Sequence, residues 1–217
     1  MYRDKVRTSF FNEYTFDSST GTEQYQVYGT DWNNFDEILI TPRAYGNVGD
    51  PLNYDATEKI GGVYGMATYQ KGKMEVVGGF RAEHTNQGYV LKYPRSTQGE
   101  GNQKYWDCLP DLHLKYHLTE KMNLHLSYAR AINRPSFFEI VPYSIINEEY
   151  KEKGNPDLKH TVADNLDLRW EFFPQAAEQL MVGFFYKHLQ NPIEYGLISE
   201  GQDLYYTPLN LGTANNT

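Results

Sequence analysis

Three stretches of the chain alternate apolar and polar residues one by one. They run from Leu112 to Leu118, from Met122 to Tyr128 and from Asn165 to Phe172, and in all three the apolar residues carry even numbers. A period of two predicts β-strands, because successive side chains of a strand point to opposite faces. On a helix this pattern would spread the apolar residues around the whole circumference, so a helical interpretation is excluded.

The two faces of these predicted strands differ in chemistry. One face carries Leu, Met, Tyr, Trp and Phe, and the other carries His, Lys, Asn, Asp, Arg and Glu. A water-soluble β-sandwich shows such a contrast as well. Two further features favour a transmembrane β-barrel, whose apolar face meets lipid and whose polar face lines the lumen: short turns alternate with longer loops, and aromatic residues lie near strand ends.

The connections between predicted strands fall into two length classes. The short turns are residues 70–73, 119–121 and 174–178, and the longer loops are residues 17–57, 89–104, 133–160 and 196–208. In outer-membrane barrels the short turns face the periplasm and the long loops face outside. The predicted fold class is therefore all-β, with antiparallel up-and-down strands of a transmembrane β-barrel, an incomplete barrel of about eight strands in one domain spanning residues 1–217.

Composition narrows the function classes. The formal net charge of the 217 residues is -8, which argues against nucleic acid as a partner. Mean hydropathy is -0.68, but alternating strands average to a polar value, so this value does not exclude a barrel. No apolar run is long enough to predict a transmembrane helix. Cys108 is the single cysteine, so no internal disulfide is predicted.

The two ends of the sequence predict that the chain is a piece of a larger protein. No apolar stretch of the kind found in signal peptides follows Met1, although an outer-membrane protein requires one. The last residues, from Leu211 to Thr217, do not form a terminal aromatic strand. We therefore expect further sequence outside these residues.

Several segments together resemble the C-terminal barrel of TonB-dependent outer-membrane receptors. They are the strand end Tyr128-Ala129-Arg130-Ala131-Ile132-Asn133-Arg134-Pro135, the turn Gly154-Asn155-Pro156-Asp157-Leu158-Lys159, the strand start Asp164-Asn165-Leu166-Asp167-Leu168, the run Gly78-Gly79-Phe80-Arg81-Ala82-Glu83 and the segment Pro208-Leu209-Asn210-Leu211-Gly212. The resemblance covers nearly the whole chain, in the expected order. It implies part of a plugged 22-stranded barrel. The plug domain, the TonB box and the closing strand of that family are absent from this sequence.

The residues indicate neither a metal site nor a catalytic site. His113, His117 and His125 share one face, and imidazoles suit Zn and Cu, but Lys115 lies among them as a cation. The charged residues of the polar face are explained by ladders across a water-lined wall. No Gly-x-Ser-x-Gly, His-Glu-x-x-His or phosphate-loop motif occurs. We predict no catalytic residues, no metal and no cofactor.

The resemblance implies active import of a scarce ligand, such as an iron chelate, cobalamin or a glycan, across the bacterial outer membrane. The implied partners are outer-membrane lipid, the plug domain of the same receptor, TonB acting through the plug, a small extracellular ligand and a surface lipoprotein. The alternatives are a passive porin or adhesin barrel and, third, an outer-membrane enzyme. A plug with a TonB box would support only the first interpretation.

We expect ligand contacts from two loops, 17–57 and 133–160, which are far longer than strand reversal requires. The candidate residues are Trp32, Tyr45, Arg134 and Tyr143, because aromatic rings offer rigid contact area and Arg offers charge. The alternative is that these loops only cap the barrel or pack on a surface partner.

Overall fold

The computed structural model describes residues 1–18, 38–42, 51–93, 99–146, 149–175 and 177–217. Nearly all regular structure in these residues is β-strand. The elements are β1 (Tyr2–Ser9), β2 (Tyr14–Ser18), β3 (Ile38–Pro42), β4 (Tyr54–Lys71), β5 (Met74–Leu91), β6 (Glu100–Thr119), β7 (Met122–Asn133), α1 (Phe137–Ile140), β8 (Ser144–Ile146), β9 (Lys151–Lys153), β10 (Thr161–Phe172), β11 (Leu180–Gln190), β12 (Ile193–Glu200), β13 (Asp203–Asn210) and β14 (Thr213–Asn216). No helix among these residues is long and apolar enough to cross a membrane.

One eight-stranded sheet, here called the wall, dominates the structure. Its strand order is β1-β4-β5-β6-β7-β10-β11-β14, and every neighbouring pair is antiparallel. The predicted antiparallel, up-and-down arrangement of about eight strands is therefore confirmed. The wall is an open sheet in this chain and not a closed barrel.

The short turns lie at one end of the wall, as predicted. β4 and β5 are joined at Gly72 and Lys73, and Gly72 has a φ of 57°, which a residue without Cβ adopts at no steric cost. β6 and β7 are joined at Glu120 and Lys121. In this hairpin Lys115 lies opposite His125, and a β-bulge between His117 and Thr119 shifts the register so that Met122 pairs with Thr119.

The register gives the wall two chemically distinct faces. The outer face carries the even-numbered side chains of β5, β6, β7, β10 and β11, since even residues pair with even residues across these strands. On β4 the parity reverses, because Val63 pairs with Ala82 and Tyr69 pairs with Val76. The opposite face, which we call the inner face, carries the charged and polar partners and is partly covered by other segments.

Two predicted loops contain strands. β5 and β6 extend into half of residues 89–104, and residues 196–208 form the greater part of the hairpin β12–β13. The extension of β6 was missed because Asn102 and Lys104 point outward while Gln103 points inward, so that alternation disappears where both faces are polar. Likewise β4 begins at Tyr54, within the last residues of the predicted loop 17–57.

A segment from the β7–β10 connection folds back over the inner face of the wall. We call its described residues, 134–146 and 149–160, the cap. Its buried residues Phe137, Ile140, Val141 and Leu158 form one apolar cluster with four wall residues, Tyr54, Ala56, Tyr89 and Leu91. The core of this chain therefore lies between cap and wall, at the end away from the short turns.

Candidate ligand-binding face

The inner face near the short turns is lined by charged and polar side chains. One row across four strands consists of Glu75, Lys115, His125 and Arg169. Glu171 joins this row to the next, since its carboxylate lies 3.0 Å from His125 Nε2 and 3.0 Å from Arg169 Nε. The arrangement matches the charge ladder expected of a water-lined wall.

This part of the inner face is an open hollow of about 570 Å³. The charged side chains that line the hollow have both signs. Glu75 and Asp167 are acidic, and Lys115 and Arg169 are basic. Over the described residues no group of three or more His, Cys, Asp or Glu side chains is arranged to hold a metal ion. The hollow can therefore receive a polar surface through ion pairs and hydrogen bonds.

Further from the short turns, Arg134 fastens the cap to the wall. Its Nη2 atom donates to Glu83 Oε2 at 2.5 Å, and its Nε and Nη2 atoms donate to the Thr85 hydroxyl at 3.1 and 3.0 Å. The side chain of Glu83 is only 6% exposed and has Arg81 as a second ion-pair partner. A carboxylate this buried requires charged partners, so the Arg134 contact holds the start of the cap in place.

Two glutamines of the wall bind the backbone of the cap. Gln87 Nε2 donates to the Pro135 carbonyl at 2.8 Å, and Gln103 Nε2 donates to the carbonyls of Pro156 and Leu158 at 3.0 and 2.8 Å. These bonds satisfy cap carbonyls that belong to no strand ladder. The wall thus holds both ends of the cap by polar contacts and its middle by apolar packing.

His160 closes the far end of the cap. Its Nε2 atom lies 2.8 Å from Asp107 Oδ1, and its ring stacks on Tyr105 with centroids 4.0 Å apart. Both Asp107 and Tyr105 are inner-face residues of β6.

The cap has its own local structure, which the sequence encodes. Ser136 and Glu139 form a capping box, in which the Ser136 hydroxyl accepts from the Glu139 amide and the Glu139 carboxylate accepts from the Ser136 amide. Gly154 lies directly against the Val141 carbonyl, where any Cβ would overlap it. The glycine of the Gly-Asn-Pro-Asp turn is therefore needed for close backbone approach.

A small second sheet, which we call the lobe, stands at the cap end of the wall. Its strand order is β12-β13-β9-β8. Lys151 donates to Asp203 at 2.6 Å, and this bond holds the pKa of the Asp203 carboxyl below its ordinary value. Tyr195 and Tyr206 stack with centroids 5.1 Å apart.

The structure places two of the four predicted site residues. Arg134 and Tyr143 both lie in the cap, and Tyr143 is 1% exposed, with its hydroxyl donating to Glu152 Oε1 at 2.7 Å. Burial and this hydrogen bond raise the pKa of Tyr143. Both side chains position the cap and expose little surface to a ligand. Trp32 and Tyr45 lie outside the described residues.

Most residues that hold the cap on the wall were not predicted from the sequence. Gln87, Gln103 and His160 were not singled out, because a lone polar residue on a strand or loop carries no periodic signal. The capping box of Ser136 and Glu139 does have a recognisable spacing, three residues apart before an apolar pair, and that spacing could have revealed the helix.

Comparison with known families gives one match over most of the chain. A family model described as the outer membrane protein beta-barrel family matches residues 16–217. No sequence among the curated proteins matches this chain significantly.

Comparison with solved structures finds a similar fold in several receptors and transporters. The chain is similar to the hemophore receptor HasR of Serratia marcescens, in a complex with its hemophore HasA and heme, with a TM-score of 0.62 and 13% identity over 82% of this chain and 33% of that one. It is also similar to the iron transporter FrpB of Neisseria meningitidis, with a TM-score of 0.53 and 13% identity over 81% of this chain and 27% of that one.

A third similar structure is a variant of the ferric enterobactin receptor of Pseudomonas aeruginosa in complex with enterobactin. Its TM-score is 0.52 at 15% identity, over 99% of this chain and 37% of that one. At these identities the likeness concerns the fold, and the chain spans between about a quarter and two fifths of each of these proteins.

Proposed function

We propose that this chain, which belongs to the outer membrane protein beta-barrel family and lies in the bacterial outer membrane, forms part of the wall of a receptor that imports a scarce ligand with energy supplied through TonB. In this proposal the wall is a scaffold, the cap end faces outside and the short turns face the periplasm. The ligand class is an iron chelate, cobalamin or a glycan.

The anchored cap is the observation that carries the proposal. A passive pore needs an open lumen, whereas the upper inner face of this wall is buried under the cap: Tyr54 and Val141 have no exposed surface. Ordered structure at the outer mouth suits a receptor that binds its ligand there before transport. The similar structures, which are named as receptors or transporters, support the same choice over a porin or an enzyme.

The polar hollow near the short turns suits the plug domain of the same receptor as an occupant. Its rows of alternating charge, including Lys115 and Arg169 beside Glu75 and Asp167, offer ion pairs to a polar domain inside the lumen. TonB would act on that domain from the periplasmic side. A surface lipoprotein that contacts the lobe is a further proposed partner.

We further propose that the ligand contacts the two long connections at the cap end. Trp32 and Tyr45 of the first connection supply aromatic contact area in this proposal. Arg134 and Tyr143 act mainly by holding the cap, and so set the shape of the surface that the ligand meets.

Deleting residues 34–49 in the full-length protein tests where the ligand binds. We expect ligand affinity to fall at least tenfold and ligand-dependent growth to be lost, because the deletion removes Tyr45 and shortens the loop. Affinity is measured on the purified receptor, and growth is measured on the ligand as sole source.

A matched variant replaces the same residues by a Gly-Ser segment of equal length. It separates loss of the contacting side chains from loss of loop length, and both variants must reach the outer membrane. If affinity and growth stay at the wild-type level in both, the first connection is only a cover and this site proposal fails.

A further inference from the structure

The lobe has two chemically different faces, because its register places alternate residues of β9, β12 and β13 on opposite sides. The first face, which we call the tyrosine face, carries aromatic and aliphatic side chains with one carboxylate among them: Tyr150, Glu152, Tyr195, Leu197, Leu204 and Tyr206. Leu197 is 58% exposed and Tyr195 is 38% exposed, so water reaches this face. The tyrosine face is therefore an accessible surface and not part of the core.

The lysines of the lobe lie on the opposite face, where each has an acidic partner. Lys151 donates to Asp203 at 2.6 Å, and Lys153 forms an ion pair with Glu200. The two ammonium groups also lie over the ring of Tyr205, at 5.8 and 4.4 Å from its centroid. The four strands of the lobe contain no other lysine or arginine, so none of their cations neutralises the tyrosine face.

The three tyrosine rings of this face are in contact with one another. Tyr206 is the central ring: its centroid lies 5.1 Å from that of Tyr195, with the planes 26° apart, and 5.6 Å from that of Tyr150, with the planes 58° apart. All three side chains are at least partly exposed. The face of an aromatic ring carries negative charge density and attracts cations, and neighbouring rings at an angle offer two walls to the same ammonium group.

Two carboxylates lie beside these rings without a cationic partner. Glu152 is the register partner of Tyr206 and accepts from the Tyr143 hydroxyl through Oε1 at 2.7 Å, and Glu139 of the cap accepts from a backbone amide through Oε2 at 2.6 Å. Over the described residues neither carboxylate forms an ion pair. Burial raises the pKa of the Tyr195 hydroxyl, and the charges of Glu139 and Glu152 raise it further. Both negative charges therefore act on the tyrosine face.

This combination of rings, leucines and carboxylates suits an organic cation better than a metal ion. A metal ion requires several oxygen, nitrogen or sulfur ligands, and over the described residues no three His, Cys, Asp or Glu side chains are grouped to hold one. An alkylammonium ion instead carries a charge that the carboxylates and ring faces attract, and alkyl groups that the rings and leucines can cover. Tyrosine rings suit such a ligand because their bodies are apolar while their hydroxyl groups remain in water.

From these observations we propose that the tyrosine face binds a small organic cation of the quaternary or alkylated ammonium class. The cation lies on Tyr206, within reach of the Glu152 carboxylate, and its alkyl groups contact Leu197, which lies opposite Tyr206 in the register. In the orientation proposed above the lobe faces outside, so the site meets solutes of the surrounding medium. Binding here does not require import, so it stands or falls separately from the proposed function.

The test is a calorimetric titration of the full-length protein in mild detergent with choline and with dimethylbutanol, the uncharged carbon isostere of choline. We expect choline to bind roughly tenfold more tightly than the isostere, because only choline carries the charge that ring faces and carboxylates attract. Tyr206→Leu is expected to weaken choline binding roughly tenfold, whereas Tyr206→Phe keeps the ring and retains it. Glu152→Gln keeps an acceptor for the Tyr143 hydroxyl but removes the charge, so choline affinity should fall roughly fivefold.

The matched controls are Tyr205→Leu and Glu200→Gln, which remove the same groups from the opposite face of the lobe and are expected to bind choline like wild type. Equal binding of choline and its isostere would overturn the proposal, as would wild-type affinity in Y206L. Equal losses in Y205L and Y206L would contradict it too, because the site would then not lie on the tyrosine face. Binding of a lysine-rich peptide without any binding of choline would also overturn it, because the face would then dock a protein.

Discussion

Replacing Arg134 by methionine is expected to destabilise the closed cap by about 3–5 kcal/mol, because Glu83 then remains buried with one of its two cationic partners removed. Methionine keeps most of the apolar stem, so the loss is chiefly electrostatic. The Thr85 hydroxyl loses both of its bonds to the guanidinium as well. Hydrogen exchange of the cap amides measures the effect directly, and protection should fall at least 100-fold.

The matched control is Arg130→Met on β7, the strand that leads into the cap. Arg130 also bonds bidentately to a carboxylate, Asp164, but its side chain is 36% exposed, so its loss should cost about 1 kcal/mol or less. The two variants remove the same group and differ mainly in burial. Equal protection of the cap in R134M and R130M would show that Arg134 does not hold the cap closed.

Replacing Leu126 by arginine is expected to cost about 2–4 kcal/mol of folding free energy in the full-length protein, since it places a cation on the lipid side of the wall. Leu126 lies between Leu114 and Leu168 on the outer face, four residues above the start of β7. Reversible folding into lipid vesicles, followed by denaturant titration, gives the free energy.

His125→Arg is the neighbouring control. His125 lies on the inner face 3.0 Å from Glu171, so an arginine there keeps an acidic partner and remains on the polar side. We expect a change below about 1 kcal/mol. If the two substitutions destabilise equally, the assignment of faces is wrong.

The wall could be predicted from sequence because lipid and lumen impose opposite chemistry on alternate residues. From Met122 to Tyr128 and from Asn165 to Phe172 the type of each side chain indicates the face on which it lies, so the strands and the short turns between them could be predicted from the pattern. Segments such as the turn from Gly154 to Lys159 indicated an outer-membrane barrel, and the matching model of the outer membrane protein beta-barrel family agrees.

Outside the membrane this constraint on alternate residues is absent. The predictions of strands and contacts from the sequence were less accurate there. Above Trp106 water meets the outer face of β5 and β6, and the cap contacts their inner face partly through polar side chains such as Gln87 and Gln103. Both faces therefore carry polar residues, so the strand extensions did not alternate and were interpreted as loop. The cap depends on contacts between residues far apart in sequence, such as Gln87 with Pro135 and Gln103 with Leu158, which no local pattern encodes. Arg134 was singled out as a ligand residue, but its buried ion pair could not be foreseen without the fold.

The most direct test of the account is the orientation of β7 in a bilayer. Single cysteines are introduced from position 123 to 130 in a full-length C108A background, spin-labelled and reconstituted into lipid vesicles. Collision rates are then measured with oxygen, which concentrates in lipid, and with a polar nickel chelate. We predict oxygen contact at the even positions 124, 126 and 128 and nickel contact at the odd positions 123, 125 and 127. Uniform accessibility, or the reverse parity, would contradict a lipid-facing outer-membrane wall.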